Sequence, residues 1–541
     1  MKTDCHQTKM SKFIDIVTRP IVKQPAFFIL LYVLLNVLDI YSLLFIHSYV
    51  PLYKAVSGFF ICYILSLPTT FFNHVLRTVY KAIVIALAVM FFSIDLYLLF
   101  IYNETFSTFC PDIVGIVMAT NPAEIGDFIS TYFALDRLFL LLFLLSIILS
   151  IYKYLKNWRL KYGIVFNFLL LVLIFISSIY TLMYFNRLTG SNFFHMFTVS
   201  SPDLREFRQN PVVEYDSERP DNIVLILGES VSKSHCSVYG YEKQTTPFFE
   251  KMKSDSSLLV YDNVVTAGLS TIPAIKAILM GYTDEIADSI DWLRCLTLIE
   301  IMQKAQYNTF WVSNQTKSGL FTNEIGCFSD ICDEQEFIDN KGVFAFEKEK
   351  SSKFLDERLL GVLDKYLCDS FQNMFYIVHM MGSHYVYKNR YPTEFAKFSS
   401  KDYSMSHPYL SIENREIVSQ YDNSILYSDS VIYEIFNKFN YRDAVVIYIS
   451  DHGQDVFDSS NDYVGHAKTG NDISERSGRE VPMMVYTTPL FRQKHPQLQQ
   501  RIENAVNNTP YRTDSIMYSI MDIAGVETVN GVSYKHKSLF K

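Results

Sequence analysis

The sequence predicts a two-part chain: a bundle of five membrane-crossing helices, then an exported α/β domain built on a largely parallel central sheet. Three observations predict this. Hydrophobic residues make up 49% of the 541 residues, and the surplus lies almost wholly before residue 186. Lysine and arginine alternate between the segments that join the apolar stretches. Beyond residue 221, short apolar runs alternate with helix-like segments, as in a parallel sheet covered on both faces.

Crossing a bilayer takes about 20 apolar residues, and five stretches qualify: 26–46, 55–73, 81–101, 136–152 and 164–185. A cleaved signal peptide fits the first poorly, because the run is too long and no small-residue cleavage site follows. The tail carries Lys2, Lys9, Lys12, Arg19 and Lys23, and the later basic segments hold Arg77, Lys81, Lys153, Lys156, Arg159 and Lys161. Segment 102–135 has no lysine or arginine and holds Glu104, Asp112, Glu124 and Asp127. Basic loops stay in the cytoplasm, so the N-terminus is expected inside and everything after residue 185 outside. Asp39 and Asp95 sit within apolar spans, where they would line a headgroup path or pack between helices. Asn121 and Glu124, in the acidic segment, are candidate headgroup contacts, although an ordinary polar loop is the commoner use of such residues.

Residues 186–220 are polar around an FFHMF insert and read as a linker along the membrane surface, leaving 221–541 as the exported domain. Its strand candidates are NIVLILG, NTFWVS, MFYIVH and AVVIYIS, and helical segments are expected near 273–281, 295–305, 352–367 and 421–438. Cys327 and Cys332 are expected to form a small disulfide loop, which an oxidising compartment permits. No second Cys or His pair at finger spacing supports a zinc finger there. The net charge of −8 argues against a nucleic-acid partner.

Sites in such sheets form beyond the carboxyl ends of the strands. The first strand candidate runs into Gly228-Glu229-Ser230, and AVVIYIS runs into Asp451-His452-Gly453. Two carboxylates and an imidazole at one sheet edge suit Zn²⁺, which usually takes four ligands. Alone, Glu229 reads equally well as a helix cap, whereas a solvated turn is the lesser reading of Asp451-His452. A fourth ligand and a nucleophile are expected at the helix start marked by Pro273, with Thr271 at the N-cap and Ser270 as a substitute. A hydroxyl there meets the positive end of the helix dipole and the metal, and both favour an alkoxide. His384 and His466, in loops, are candidates for holding a phosphate or passing a proton. His379 reads as a satisfied core histidine. Asn314 and Gln315 could donate to substrate oxygens or cap a helix.

With these residues assembled, the chain resembles the phosphoethanolamine transferases of the Gram-negative inner membrane, in the alkaline phosphatase and sulfatase superfamily. The resemblance rests on GES with Glu229, YGYEKQTTP at 239–247, STIPA with Thr271, VHMMGSH with His384, and ISDHGQD with Asp451 and His452. It implies an alkaline-phosphatase-like (sulfatase-like) periplasmic domain with zinc on Glu229, Thr271, Asp451 and His452. It further implies Thr271 as the residue that takes up phosphoethanolamine, with His384 and His466 near the substrate phosphate. Phosphatidylethanolamine would be the donor and lipopolysaccharide or lipid A the acceptor, with a monomer embedded in membrane lipids. The segments FWVSNQ, RYPTEFAKF and SDHGQDVFD look closest to the branch that modifies lipopolysaccharide core sugars. The lipid A branch has cysteines flanking its nucleophile segment, whereas Ala267-Gly268-Leu269 stand here. Two alternatives are a phosphoglycerol transferase of the lipoteichoic-acid-synthase type and a non-catalytic membrane-anchored binding protein. A sulfatase would need a modified Cys or Ser in C/S-x-P-x-R, and here Ala274-Ile275 follow the proline.

Overall fold

The computed structural model describes residues 9–45, 50–102, 135–155, 164–190, 210–287, 292–317, 324–338, 355–367, 373–461, 463–467, 471–507 and 510–541. Asn121, Glu124, the side chain of Asp39 and most of the expected linker lie outside the described residues. The chain divides into two compact units, Met1–Thr198 and Val199–Lys541.

The first unit is helical: α1 (Lys9–Val22), α2 (Pro25–Phe45), α3 (Val50–Ser66), α4 (His74–Tyr102), α5 (Leu135–Leu155) and α6 (Ile164–Gly190). Helices α2 to α6 overlie the five predicted stretches. Their leucine-, isoleucine- and phenylalanine-rich runs are apolar all round, which suits a helix with apolar surroundings on every side. Phe27, Leu31, Cys62, Phe92 and Ile174 pack at the centre, while Phe91, Phe139, Phe143, Leu169 and Phe175 face outward. Among the described residues, two helices are long and apolar enough to cross a membrane, His74–Leu96 and Val165–Leu182. The pair Ile16–Val22 and Pro25–Leu38, bent by 73°, makes a third if it is one span. The remaining stretches are shorter apolar helices, Ala55–Thr70 and Leu141–Leu155. Asp95 is buried within the bundle.

The second unit is built on a seven-stranded sheet. Its strands are β1 (Asn222–Gly228), β2 (Leu258–Tyr261), β3 (Asn308–Ser313), β4 (Glu334–Phe337), β5 (Met374–His379), β6 (Ala444–Ser450) and β7 (Met483–Thr487). They lie in the order β2-β7-β6-β1-β5-β3-β4. Pairs from β6 through β1, β5 and β3 to β4 are parallel, and β7 runs antiparallel to both β6 and β2. The sheet is therefore mixed but mostly parallel. Alternate residues of β1 supply the two faces: Ile223, Leu225 and Leu227 pack on one side, Val224 and Ile226 on the other. Both faces are covered, which is why these strands read as unbroken apolar runs rather than alternating ones. Helices α7 (Thr271–Met280) and α8 (Ile412–Phe439) cover opposite faces of the sheet, Ile275 and Ile278 packing with Leu225 and Ile432 and Phe436 with Val224. Strand Val213–Tyr215, inside the expected linker, pairs antiparallel with Val526–Val529.

The expected Cys327–Cys332 disulfide is absent. Helix Glu324–Ser329 carries Cys327 into the apolar core beside Phe328. Cys332 packs into the same core, its Sγ 3.9 Å from the Phe328 carbonyl, and burial pushes its thiol pKa upward.

Candidate metal centre and active site

Register explains why the candidate ligands meet. Gly228 pairs with Ser450 across β1 and β6, Leu227 pairs with His379, and Ser313 also pairs with His379. The residues that follow these positions, Glu229, Asp451, Met380 and Asn314, therefore leave one edge of the sheet together. Ser230 has φ 61°, a left-handed conformation uncommon outside glycine. Its amide donates to Asp451 Oδ1 at 3.0 Å, which ties the two strand exits to each other.

Glu229, Asp451 and His452 are buried and offer ligand atoms that all lie within 4.8 Å of one another. His452 Nε2 is 3.3 Å from Glu229 Oε1 and 3.4 Å from Asp451 Oδ2. Thr271 Oγ1 is 3.3 and 3.2 Å from the two Glu229 oxygens and 3.5 Å from His452 Nε2. Tetrahedral zinc with ligand distances of about 2.0–2.1 Å has ligand–ligand edges of about 3.3 Å, so these four side chains outline a cage of the right size. Asp451 Oδ2 is buried and makes no hydrogen bond, as expected of an atom awaiting a cation. His452 Nδ1 lies 2.9 Å from the Gly453 carbonyl; donation there leaves the Nε2 lone pair facing the cage. The donor set, two carboxylates, an imidazole and a hydroxyl, fits a divalent zinc ion.

The electrostatics agree. Burial pushes the Glu229 carboxyl up, but hydrogen bonding to His452 and the charges of His452 and His384 hold it well below the usual carboxylate range. Burial and the Glu229 charge raise Asp451 to about 8. Burial lowers His452, but the Asp451 charge and the Glu229 contact raise it to about 9. Crowded carboxylates that resist sharing ionisation are ligands whose charges a divalent ion would neutralise.

Thr271 is the first helical residue of α7, and Ser270, not Thr271, occupies the cap position, without a side-chain capping bond. The threonine hydroxyl is thus turned toward the cage instead of being spent on its own helix. A Cβ on Gly268 would lie 2.4 Å from the Ala274 nitrogen, so only glycine lets the preceding loop close against this turn.

The other candidates divide. The His466 ring lies 4.9 Å from the His452 ring, and burial with the His452 charge lowers it to about 3. His384 is half-buried, its Nδ1 2.8 Å from the Tyr385 carbonyl, and its charge bears on both Glu229 and His466. Gln315 Nε2 donates to Glu229 Oε2 at 3.2 Å and to the Met380 carbonyl at 2.8 Å, bracing a candidate ligand. Asn314 is fully buried and donates to Asp356 Oδ1 at 2.9 Å. His379 is a core residue, its Nδ1 3.1 Å from Ser313 Oγ, and burial lowers it to about 4. Sequence reasoning missed Ser230, whose hydroxyl donates to Glu229 Oε1 at 2.7 Å. It also missed Gln454, which donates to Ser230 Oγ at 3.0 Å. Both stand in the GES and DHGQ motifs, where position beside a ligand was the available signal.

Fold and site together define an α/β domain with a candidate metal cage at the carboxyl edge of its central sheet. A sulfatase family profile matches residues 221–526, more than half of the chain, and the chain belongs to that family. It is 28% identical over 331 residues to phosphoethanolamine transferase EptC of Escherichia coli K12, covering 60% of this chain and 53% of that one. It is likewise 28% identical over 332 residues to phosphoethanolamine transferase CptA of Salmonella typhimurium, covering 60% and 53%. The matched region spans about half the length of these curated relatives. Among solved structures, the C-terminal periplasmic domain of E. coli EptC in complex with Zn superposes with a TM-score of 0.54. That pair is 27% identical and covers 61% of this chain and 90% of that one. The integral membrane lipooligosaccharide phosphoethanolamine transferase A of Neisseria meningitidis superposes with a TM-score of 0.63. At 20% identity over 95% of this chain and 97% of that one, it shows a shared fold across both units.

Proposed function

We propose that the protein is a zinc-dependent phosphoethanolamine transferase that moves phosphoethanolamine from phosphatidylethanolamine to a lipopolysaccharide-type acceptor. The observation that carries this reading is the placement of Thr271 Oγ1 within 3.5 Å of both Glu229 and His452. A hydroxyl that meets both Glu229 and His452 on a buried, acidic cage is poised to be a nucleophile rather than a cap. The relatives' names supply the transferred group, phosphoethanolamine, and the segments FWVSNQ, RYPTEFAKF and SDHGQDVFD favour the core-modifying branch as the finer assignment.

Glu229, Thr271, Asp451 and His452 would hold the ion, which when bound supplies Lewis-acid stabilisation of phosphoryl oxygens and lowers the pKa of a coordinated hydroxyl. The Thr271 oxygen attacks the donor phosphorus in line; a P–O bond to threonine forms as the bond to diacylglycerol breaks. His466, held neutral by burial and the His452 charge, would contact the substrate phosphate, and the leaving alkoxide takes its proton from His384. An acceptor hydroxyl or phosphate then attacks the same phosphorus, gives up any proton it carries to that histidine, and releases Thr271. Gln315 and Ser230 keep the Glu229 carboxylate oriented throughout.

Five crossings with a cytoplasmic N-terminus would place the domain after a 186–220 linker on the periplasmic face of a bacterial inner membrane, where donor and acceptor are both lipids, and a monomer suffices. Supplying the purified chain with phosphatidylethanolamine and, separately, phosphatidylglycerol tests the donor. Release of diacylglycerol from the first alone is expected, and release from the second alone would favour a phosphoglycerol transferase.

A further inference from the structure

Beyond the cage, the loop at residues 380–385 is held by two buried charges of opposite sign. Asp356 is 2% exposed and stands at the entry to helix Arg358–Leu367. An aspartate there ordinarily caps its own helix. Here Oδ1 accepts instead from the Met381 amide and from Asn314 Nδ2, and Oδ2 from the Gly382 amide, at 2.8, 2.9 and 2.8 Å. Arg390 is 3% exposed. Its Nε donates to the His384 carbonyl at 2.7 Å, and its second guanidinium nitrogen to the Tyr385 carbonyl at 2.9 Å. One charge therefore takes the amides at the start of the loop, and the other takes the carbonyls at its end.

Between these grips the loop lies directly against a candidate ligand. The Ser383 amide donates to the Glu229 carbonyl at 2.9 Å. Gly382 has φ +52°, and a Cβ there would fall 2.7 Å from the Glu229 carbonyl oxygen and 2.9 Å from its nitrogen. Only glycine permits that approach. Burial raises the Asp356 carboxyl, although its hydrogen bonds and the Arg390 charge oppose the shift. A buried carboxylate is costly unless fully bonded, and three donors meet it.

We propose that Asp356 and Arg390 are positioning residues for the transfer reaction: together they fix the 380–385 loop so that it seats the Glu229 backbone and presents His384 to the substrate. The proposal rests on the transferase reading above, with Asp356 acting through the loop and touching no reacting atom. Neutralising Asp356 should leave the ion bound and slow turnover.

The test uses the full chain with Asp356→Asn, and with Asp522→Asn as a control. Asp522 is a buried carboxylate that takes bonds from Arg501 and Ser538, distant in role from the cage. Three quantities are read: zinc content, amide hydrogen exchange at Met381 and Gly382, and the kcat and KM of transfer from phosphatidylethanolamine. Asp356→Asn is expected to keep zinc, to speed exchange at both amides, and to lower kcat by about 10- to 100-fold with KM little changed. The control is expected to melt lower while its kcat stays at the wild-type value. Unchanged exchange at Met381 and Gly382, or an unchanged kcat, overturns the proposal. If Asp356→Asn does not fold, Asn314→Ala removes only one brace and should move exchange and kcat in the same directions by less; wild-type values in both overturn it. A wild-type protein with no transfer activity sinks the transferase reading, and the exchange data then decide on the loop grip by themselves.

Discussion

Asp451 Oδ2 and His452 Nε2 lie 3.4 Å apart, although consecutive residues of a strand project to opposite faces. The chain has already left β6, which ends at Ser450. The His452 amide donates back to Asp451 Oδ1 at 2.6 Å, curling both side chains onto one point. Two buried carboxylates, one of them with an orphaned oxygen, are unfavourable without a cation. Asp451→Asn should therefore abolish stoichiometric zinc binding yet raise the melting temperature of the metal-free protein. Calorimetry with and without zinc checks both effects; a variant that still gains wild-type stabilisation from zinc would remove Asp451 from the ligand set.

A second buried pair sets a pH limit on stability. His235 Nδ1 is 2.7 Å from Asp422 Oδ1, and its Nε2 is 3.5 Å from Asp458 Oδ1. Tyr241 and Tyr403 donate to the other Asp422 oxygen. Burial lowers the imidazole, but the two carboxylates outweigh it and raise the group to about 10. A raised histidine stabilises the fold fully below the unfolded value of about 6.5, and that contribution fades as pH rises toward 10. His235→Gln should cost about 3–5 kcal/mol near pH 6, with the difference from wild type shrinking at alkaline pH. Denaturant titrations across that range read it, and a pH-independent difference would contradict the ion pair.

Gly268 tests how tightly the nucleophile is seated. A Cβ there meets the Ala274 nitrogen at 2.4 Å and the Pro273 carbonyl carbon at 2.7 Å, both backbone atoms that cannot swing aside. Gly268→Ala should shift the start of α7, with an overpacking cost of about 1–3 kcal/mol and a loss of transfer of about 100-fold. Activity that survives at wild-type level would show that Thr271 tolerates displacement.

Cys327 and Cys332 give a simpler check. Both thiols are buried without a bridge, so a reductant should leave the melting temperature unchanged. A drop of several degrees on reduction would restore the disulfide expected from their spacing.

Much of the second unit was legible because chemistry and periodicity coincided. Strands β1, β3, β5 and β6, four of the five parallel ones, are apolar runs that each end in polar or small residues, and two of those ends carry Glu229 and Asp451-His452. Strands β2, β4 and β7 escaped notice: LLVY and MMVYT carry no chemistry at their ends, and EQEF is polar with a half-buried pattern. Thr271 was found through Pro273, but its place one residue inside the helix depends on cap geometry that sequence does not encode. The Asp356–Asn314 contact joins residues 42 apart through tertiary packing alone, and a helix-entry aspartate gives no hint that it serves another loop. The cysteine spacing misled because proximity in sequence says nothing about which way each thiol points.

The most direct test of the account is intact-mass measurement of the full-length protein after incubation with phosphatidylethanolamine and no acceptor. Wild type should gain one phosphoethanolamine group, mapped by fragmentation to Thr271, and Thr271→Ala, still loaded with metal, should gain none. An adduct of the same mass on the alanine variant, or one mapped to Ser270 in the wild type, would contradict the central claim.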